Sequence, residues 1–301
     1  MLKISYDDIY ILNLPENHRF PMLKYELIPQ QLIYEGIVNK DNFFSPQPVK
    51  NYWLIKAHDI NYIEKLNGLN LSKSEIRKTG FPLTKQLVER EYIITQGTLD
   101  CVDFAIEYGA SANIAGGTHH SFSDRGEGFC LFNDVATASF YALEKYKMSS
   151  ILVIDLDVHQ GNGTASIFKN IKKVFTFSMH GERNYPFQKE ISDLDVPLKD
   201  GIKGDEYLRL LDKSLREIKN KIKPELIFYI SGVDILETDK LGRLKVSRED
   251  CKKRDDMVFE FAQNQKVPIV SVMGGGYSEK IYDIVEAHCN TFKAMTSLIE
   301  G

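Results

Sequence analysis

The sequence predicts an α/β fold whose parallel sheet is covered by helices on both faces. Two observations carry this. Short, continuous apolar runs alternate with longer amphipathic stretches, the pattern of strands buried on both faces and joined by helical crossovers. Polar residues with reactive side chains then crowd just past the ends of those runs, at the edge of an open parallel sheet where ligand sites form.

Taken in order, the predicted strands are "YWLIKA" (52–57), "SANIAGG" (111–117), "SILVIDLD" (150–157), "KVFTFSM" (173–179), "LIFYISG" (226–232) and "VPIVSVMGGG" (267–276). The predicted helices cover 84–109, 133–147, 204–223 and 248–265, where apolar residues recur at helical spacing. Residues 36–50, with two prolines, read as a surface loop rather than a boundary. No linker-like stretch and no repeat interrupts the 301 residues, so one domain spanning 1–301 is expected.

Composition narrows the function classes. With 43% hydrophobic residues the chain can build a large core. The net charge is −4 and no Lys/Arg block stands out, which argues against direct nucleic-acid binding. The N-terminal "MLKISYDDIYILN" does not read as a signal peptide, and no run is long enough for membrane insertion. Cys101, Cys130, Cys251 and Cys289 lie too far apart for a zinc knuckle or a disulfide scaffold. Reduced thiols in a cytoplasmic protein are the expectation.

The run "ILVIDLDVHQGNG" (151–163) poses the chemical question, because an apolar strand ends in Asp155, Asp157 and His159. Charges there are costly to bury unless they are paired or bound to a metal. Asp157 and His159, two apart, share a face if the chain stays extended. Alone, the pair reads equally as a salt-bridged strand cap or as half of a zinc site. Asp234 follows the strand at 226–232 and alone reads as a turn or helix cap. The three together favour a metal with an open fourth position. Asp155, deeper on the same strand, is suited to orienting a histidine or helping to hold a monovalent cation, or to a simple cap. His119 and His120 follow "GG", where a turn can aim both at one pocket and let them divide the proton transfers of a hydrolase. Tyr277, after three glycines, is placed to donate to a developing oxyanion.

In order, these segments resemble the zinc-dependent histone deacetylase family. The matching stretches are "GGTHHSFSDRGEGFCLFNDVA", "VIDLDVHQGNGT", "SGVDILETDKLGRLKVS" and "GGGYS", extending over residues 116–277, with weaker likeness at "NHRFPMLKY" (17–25) and "AHDINYIEKL" (57–66). "DLDVHQGNG" and "DILETDKLG" are most similar to class IV deacetylases and their bacterial relatives. The resemblance implies a three-layer α/β/α domain of the arginase/deacetylase type with a mostly parallel eight-stranded sheet. It implies Zn²⁺ on Asp157, His159 and Asp234, His120 as general base, His119 as its electrostatic or acidic partner, and Tyr277 as carbonyl polariser. Asp155 would orient His119 and, with Ser178, hold a structural K⁺. Gly128 and Phe129 would wall the acyl tunnel, with Tyr185 opposite. Class I members carry Asp where this chain has Asn162; the neutral amide would leave His120 less basic. The acidic rim residue that grips the substrate backbone in class I does not stand out.

The expected activity is removal of an acyl group from lysine side chains of a protein or peptide. A small N-acyl amine such as an acylpolyamine is the alternative substrate. An arginase-like two-manganese hydrolase would need more bridging carboxylates, and a non-catalytic acyl-lysine binder would not need His119, His120 and Tyr277.

Overall fold

The computed structural model describes residues 1–300, with side chains through Ser297. Eight strands form one sheet: β1 (Lys3–Ser5), β2 (Phe43–Phe44), β3 (Ala110–Asn113), β4 (Ile151–Asp155), β5 (Val174–Gly181), β6 (Leu194–Leu198), β7 (Leu226–Ile230) and β8 (Ile269–Val272). Their order is β2-β1-β3-β8-β7-β4-β5-β6. Every neighbouring pair is parallel, where the sequence had suggested a mostly parallel sheet.

The central strands explain the absence of polar alternation in the sequence. All five residues of β4 and all five of β7 are buried, as a strand covered on both faces requires. Their register sets Asp155 level with Ser178 of β5 and Ile230 of β7. The helices are α1 (Lys24–Tyr34), α2 (Asn51–Ala57), α3 (Ile60–Asn67), α4 (Lys73–Thr79), α5 (Lys85–Tyr108), α6 (Asp134–Lys145), α7 (Asn162–Phe168), α8 (Gly204–Lys221), α9 (Arg248–Gln265) and α10 (Ile281–Glu300). One layer packs α9 against α8 and α10, and α10 against α1; the other packs α6 against α2, α5 and α7. The result is a single α/β domain. Side-chain caps fix several helix starts: Ser247 accepts from the Asp250 N–H at 3.0 Å to open α9, and Asn133 accepts from Ala136 N–H at 2.9 Å to open α6.

One predicted strand is wrong. Residues 52–57 lie in α2, where Leu54 and Ala57 are buried while Tyr52 and Ile55 stay exposed. That is one face of a helix, and six residues were too few to separate the two periods. The 36–50 segment is mostly loop, but it also supplies β2 and buries Val38 and Val49. Three strands were missed because they are short or at an edge: β1 has three residues, β2 two, and β6 is half-exposed and carries Pro197. All four cysteines are buried free thiols. Among the described residues, no helix is long and apolar enough to cross a membrane.

Candidate functional site

The C-terminal edge of β3, β4, β7 and β8 gathers the polar residues at one place. β4 ends at Asp155, so Asp157 and His159 do not converge by strand alternation. A turn brings them together instead. The His159 N–H donates to Asp157 Oδ1 at 2.9 Å, and His159 Nδ1 lies 3.0 Å from that same oxygen. Asp234, four residues past β7, places its Oδ2 3.0 Å from the same Nδ1. Backbone donors fix both carboxylates: Val158 N–H to Asp234 Oδ1 at 2.8 Å, and Gly275 N–H to Asp157 Oδ2 at 2.7 Å. All three residues are buried.

These residues fit a metal ion. One ligand atom from each lies within 4.8 Å of the others. A single ring nitrogen carries at most one hydrogen, so two carboxylate oxygens at equal distance can at best share it. Burial and the neighbouring Asp157 charge push Asp234 up to about 7, a cost that a cation between them relieves. A Cβ on Gly275 would run into Asp234 Oδ2 and lie 2.7 Å from Asp157 Oδ2, so only glycine lets the chain pass this closely. One imidazole and two carboxylates leave a fourth position open, the donor set and vacancy of a catalytic zinc site.

The two adjacent histidines face the same point with rings 4.1 Å apart, and their second nitrogens are held differently. His119 Nδ1 sits 2.7 Å from Asp155 Oδ2, whereas His120 Nδ1 donates to Asn162 Oδ1 at 2.7 Å. Burial alone would lower both. The Asp155 and Asp157 charges override it at His119 and raise that imidazole to about 9. At His120 burial, with His119 and His159 beside it, holds the imidazole well below its ordinary value, against a smaller opposing effect of the Asn162 hydrogen bond. Tyr277 lies across the cleft with its ring 6.3 Å from that of His159. Burial, then Asp157 and Asp234, hold its phenol far above the ordinary range, so it remains a donor.

A cleft of about 640 Å³ leads from the surface to His120, His159 and Tyr277, between Gly128, Phe129 and Tyr185. The Tyr185 ring lines the same cleft and stands 5.0 Å from His120. Gly128 has φ +55°, and a Cβ there would sit 2.7 Å from His120 Cδ2 and 3.3 Å from Tyr185. Phe129 keeps φ +68°, unusual for a bulky residue, while packing 5.2 Å from Phe20 and 5.3 Å from Phe81. Backbone bonds from Gly128 and Phe129 N–H to Lys78 and Thr79 carbonyls, at 2.9 and 2.7 Å, tie this wall to the end of α4.

Ser178 lies beside Asp155 in the ladder, and its Oγ is 3.0 Å from His180 Nδ1. His180, two residues further along β5, does not line the cleft; it lies 3.9 Å from Asp195. Sequence reasoning missed three buried cations. Arg254 of α9 donates to the carbonyls of Gly232 at 2.5 Å and Leu156 at 3.5 Å, bracing the loops that carry Asp157 and Asp234, with Asp255 at 2.8 Å as counter-charge. Lys24 donates to the Gly274 carbonyl at 3.1 Å, and burial, partly opposed by Asp234 and Asp157, lowers it to about 8. Arg90, ion-paired with Glu91, lines a small inner cavity of about 40 Å³ behind the histidines. "NHRFPMLKY" carried the signal for Lys24; Arg90 and Arg254 sit in helical runs that looked like ordinary exposed faces.

A search among known proteins agrees with this geometry. Residues 18–292 match the histone deacetylase domain. The chain is 38% identical to an uncharacterised protein of Picosynechococcus sp. over 95% of both chains. It is 33% identical to histone deacetylase 2 of Arabidopsis thaliana over 91% of this chain and 73% of that one. The crystal structure of an HDAC homologue from Aquifex aeolicus shares the fold, with a TM-score of 0.84 at 24% identity over 98% of this chain and 84% of that one. An HDAC homologue complexed with SAHA superposes equally well, at TM-score 0.84 and 24% identity. With a domain match over nearly its whole length and a plant deacetylase one third identical to it, this chain belongs to the histone deacetylase family.

Proposed function

We propose that the protein is a zinc-dependent deacylase of class IV type that removes an acyl group from lysine side chains. One observation carries the reading: two adjacent histidines, one held by a carboxylate and the other by a neutral amide, lie beside a buried two-carboxylate, one-imidazole cluster at the end of a cleft.

Asp157, His159 and Asp234 would hold the zinc, which supplies a Lewis acid for the acyl carbonyl and makes water acidic enough to react near neutral pH. Because His120 Nδ1 donates to Asn162 Oδ1, its Nε2 carries the free lone pair. That nitrogen takes the proton of the attacking water and returns it to the leaving amine. His119 stays an imidazolium on Asp155 and stabilises negative charge beside it. The Tyr277 hydroxyl donates to the oxyanion that forms on the former carbonyl. Gly128, Phe129 and Tyr185 exclude water and thread the aliphatic stem. Asp155 and Ser178, on adjoining strands, would hold a structural K⁺ beneath the histidines.

That an HDAC homologue sharing this fold is complexed with SAHA supports a ligand-binding reading of the cleft. The test is turnover of acetyl-lysine peptides, longer acyl-lysines and acetylpolyamines, with zinc content measured on the same sample. Release of free lysine amine that depends on zinc is the expected result. No turnover of any acyl-lysine by zinc-loaded protein would refute the reading.

A further inference from the structure

The tunnel mouth is cationic although the molecule is not. Arg19, Arg77, Lys78, Arg183 and Arg243 line it from four segments of the chain, and all five are exposed. Arg243 lies 3.4 Å from Asp200; among the described residues, the other four have no carboxylate within ion-pair distance. A single carboxylate lines the same cleft: Glu127, already bound to Arg125 at 2.9 Å and to the Tyr185 hydroxyl at 2.8 Å. The net charge of the chain is −4, so this concentration of positive charge runs against its overall sign. Phe187 stands at the same rim, 85% exposed, and offers apolar surface beside the charges.

We infer that the tunnel selects acyl-lysines set in an acidic stretch of polypeptide. The inference rests on the acyl-lysine reading above. Aspartate or glutamate on either side of the acylated lysine would meet unpaired Arg19, Arg77, Lys78 and Arg183, whereas a lysine-rich tail or a polyamine would bring like charge to the rim. Complementary charge speeds encounter and fixes register, and like charge excludes wrong partners. A free acyl-lysine also carries a carboxylate, but a single one; cations from four segments call for several.

The test uses zinc-loaded full chain and three peptides that share one central acetyl-lysine, flanked by Asp/Glu, by neutral residues, or by Lys/Arg. At low ionic strength kcat/KM is expected to be about tenfold higher for the acidic than for the basic peptide, and the ratio should shrink as salt shortens the screening length. Combining Arg77→Glu with Lys78→Glu should reduce or invert it. Equal kcat/KM, or a preference for the basic peptide, overturns the inference while leaving the deacylase reading intact. Free acetyl-lysine preferred over its amide and over every peptide also overturns it, by moving the carboxylate to a small molecule. If no peptide is turned over, the deacylase reading fails, and fluorescence anisotropy of the same labelled peptides decides the charge selectivity. Acidic-selective binding lost in the double variant upholds it, and unselective binding removes it.

Discussion

Asn162 is the residue at which this chain departs from the class I pattern, and its contact is direct: Oδ1 accepts from His120 Nδ1 at 2.7 Å. Asn162→Asp adds a negative charge there, favours the imidazolium and raises the His120 pKa. A general base works only unprotonated, so the acidic limb of kcat/KM should move to higher pH. A limb that stays in place or moves to lower pH would remove His120 as the base. Tyr277→Phe removes only a hydroxyl. We expect kcat to fall roughly 10²-fold or more, the scale for one oxyanion donor, with KM little changed. Gly128→Ala forces a side chain into a left-handed conformation costing about 1–2 kcal/mol and drives a methyl against His120. Thermal denaturation should show the loss in stability, and steady-state kinetics a larger loss in activity. Tyr277 was legible from its glycine-rich motif alone, whereas Asn162 and Gly128 stood out only through the family resemblance, because nothing local marks the contacts they make with His120.

At the scale of elements, legibility depended only in part on length, since the 20-residue α10 was not among the predicted helices. The long helices α5, α6, α8 and α9 fall within a few residues of their expected bounds, since many turns repeat one apolar stripe. The 52–57 run offered less than two turns and was misread as a strand. The convergence of Asp157 with His159 was right in outcome but wrong in cause, because a turn past β4, not strand geometry, brings them together. What holds that turn was invisible: Arg254 comes from about a hundred residues further along the chain, and nothing in "REDCKKRDDM" marks one arginine as fully buried. Arg254→Met would leave Asp255 buried without its counter-charge and cost about 3–5 kcal/mol. Chemical denaturation should register this, together with weaker zinc binding as the Leu156 and Gly232 loops loosen.

At the scale of the molecule, the parallel sheet determines what can meet. β4 neighbours β7 and β5, so Asp157, His159 and Asp234 come from loops that follow adjoining strands, although 75 residues separate His159 from Asp234. The apolar runs made the sheet readable; strand order was not, because pairing is decided by packing between distant segments. The charge at the tunnel mouth was hidden for the same reason, with its arginines scattered singly from residue 19 to residue 243. A ligand that binds only the folded chain adds stability, about 2.7 kcal/mol at a hundredfold excess over Kd. Zinc should therefore raise the Tm of metal-stripped protein, and Asp234→Ala should abolish most of that rise. The central claim is one catalytic zinc on Asp157, His159 and Asp234. Its most direct test is to titrate Zn²⁺ into metal-stripped protein while following deacylation of an acetyl-lysine peptide and bound metal together. Activity should rise linearly and saturate at one equivalent per chain. Saturation at two equivalents, or one tightly bound zinc without turnover, would contradict it.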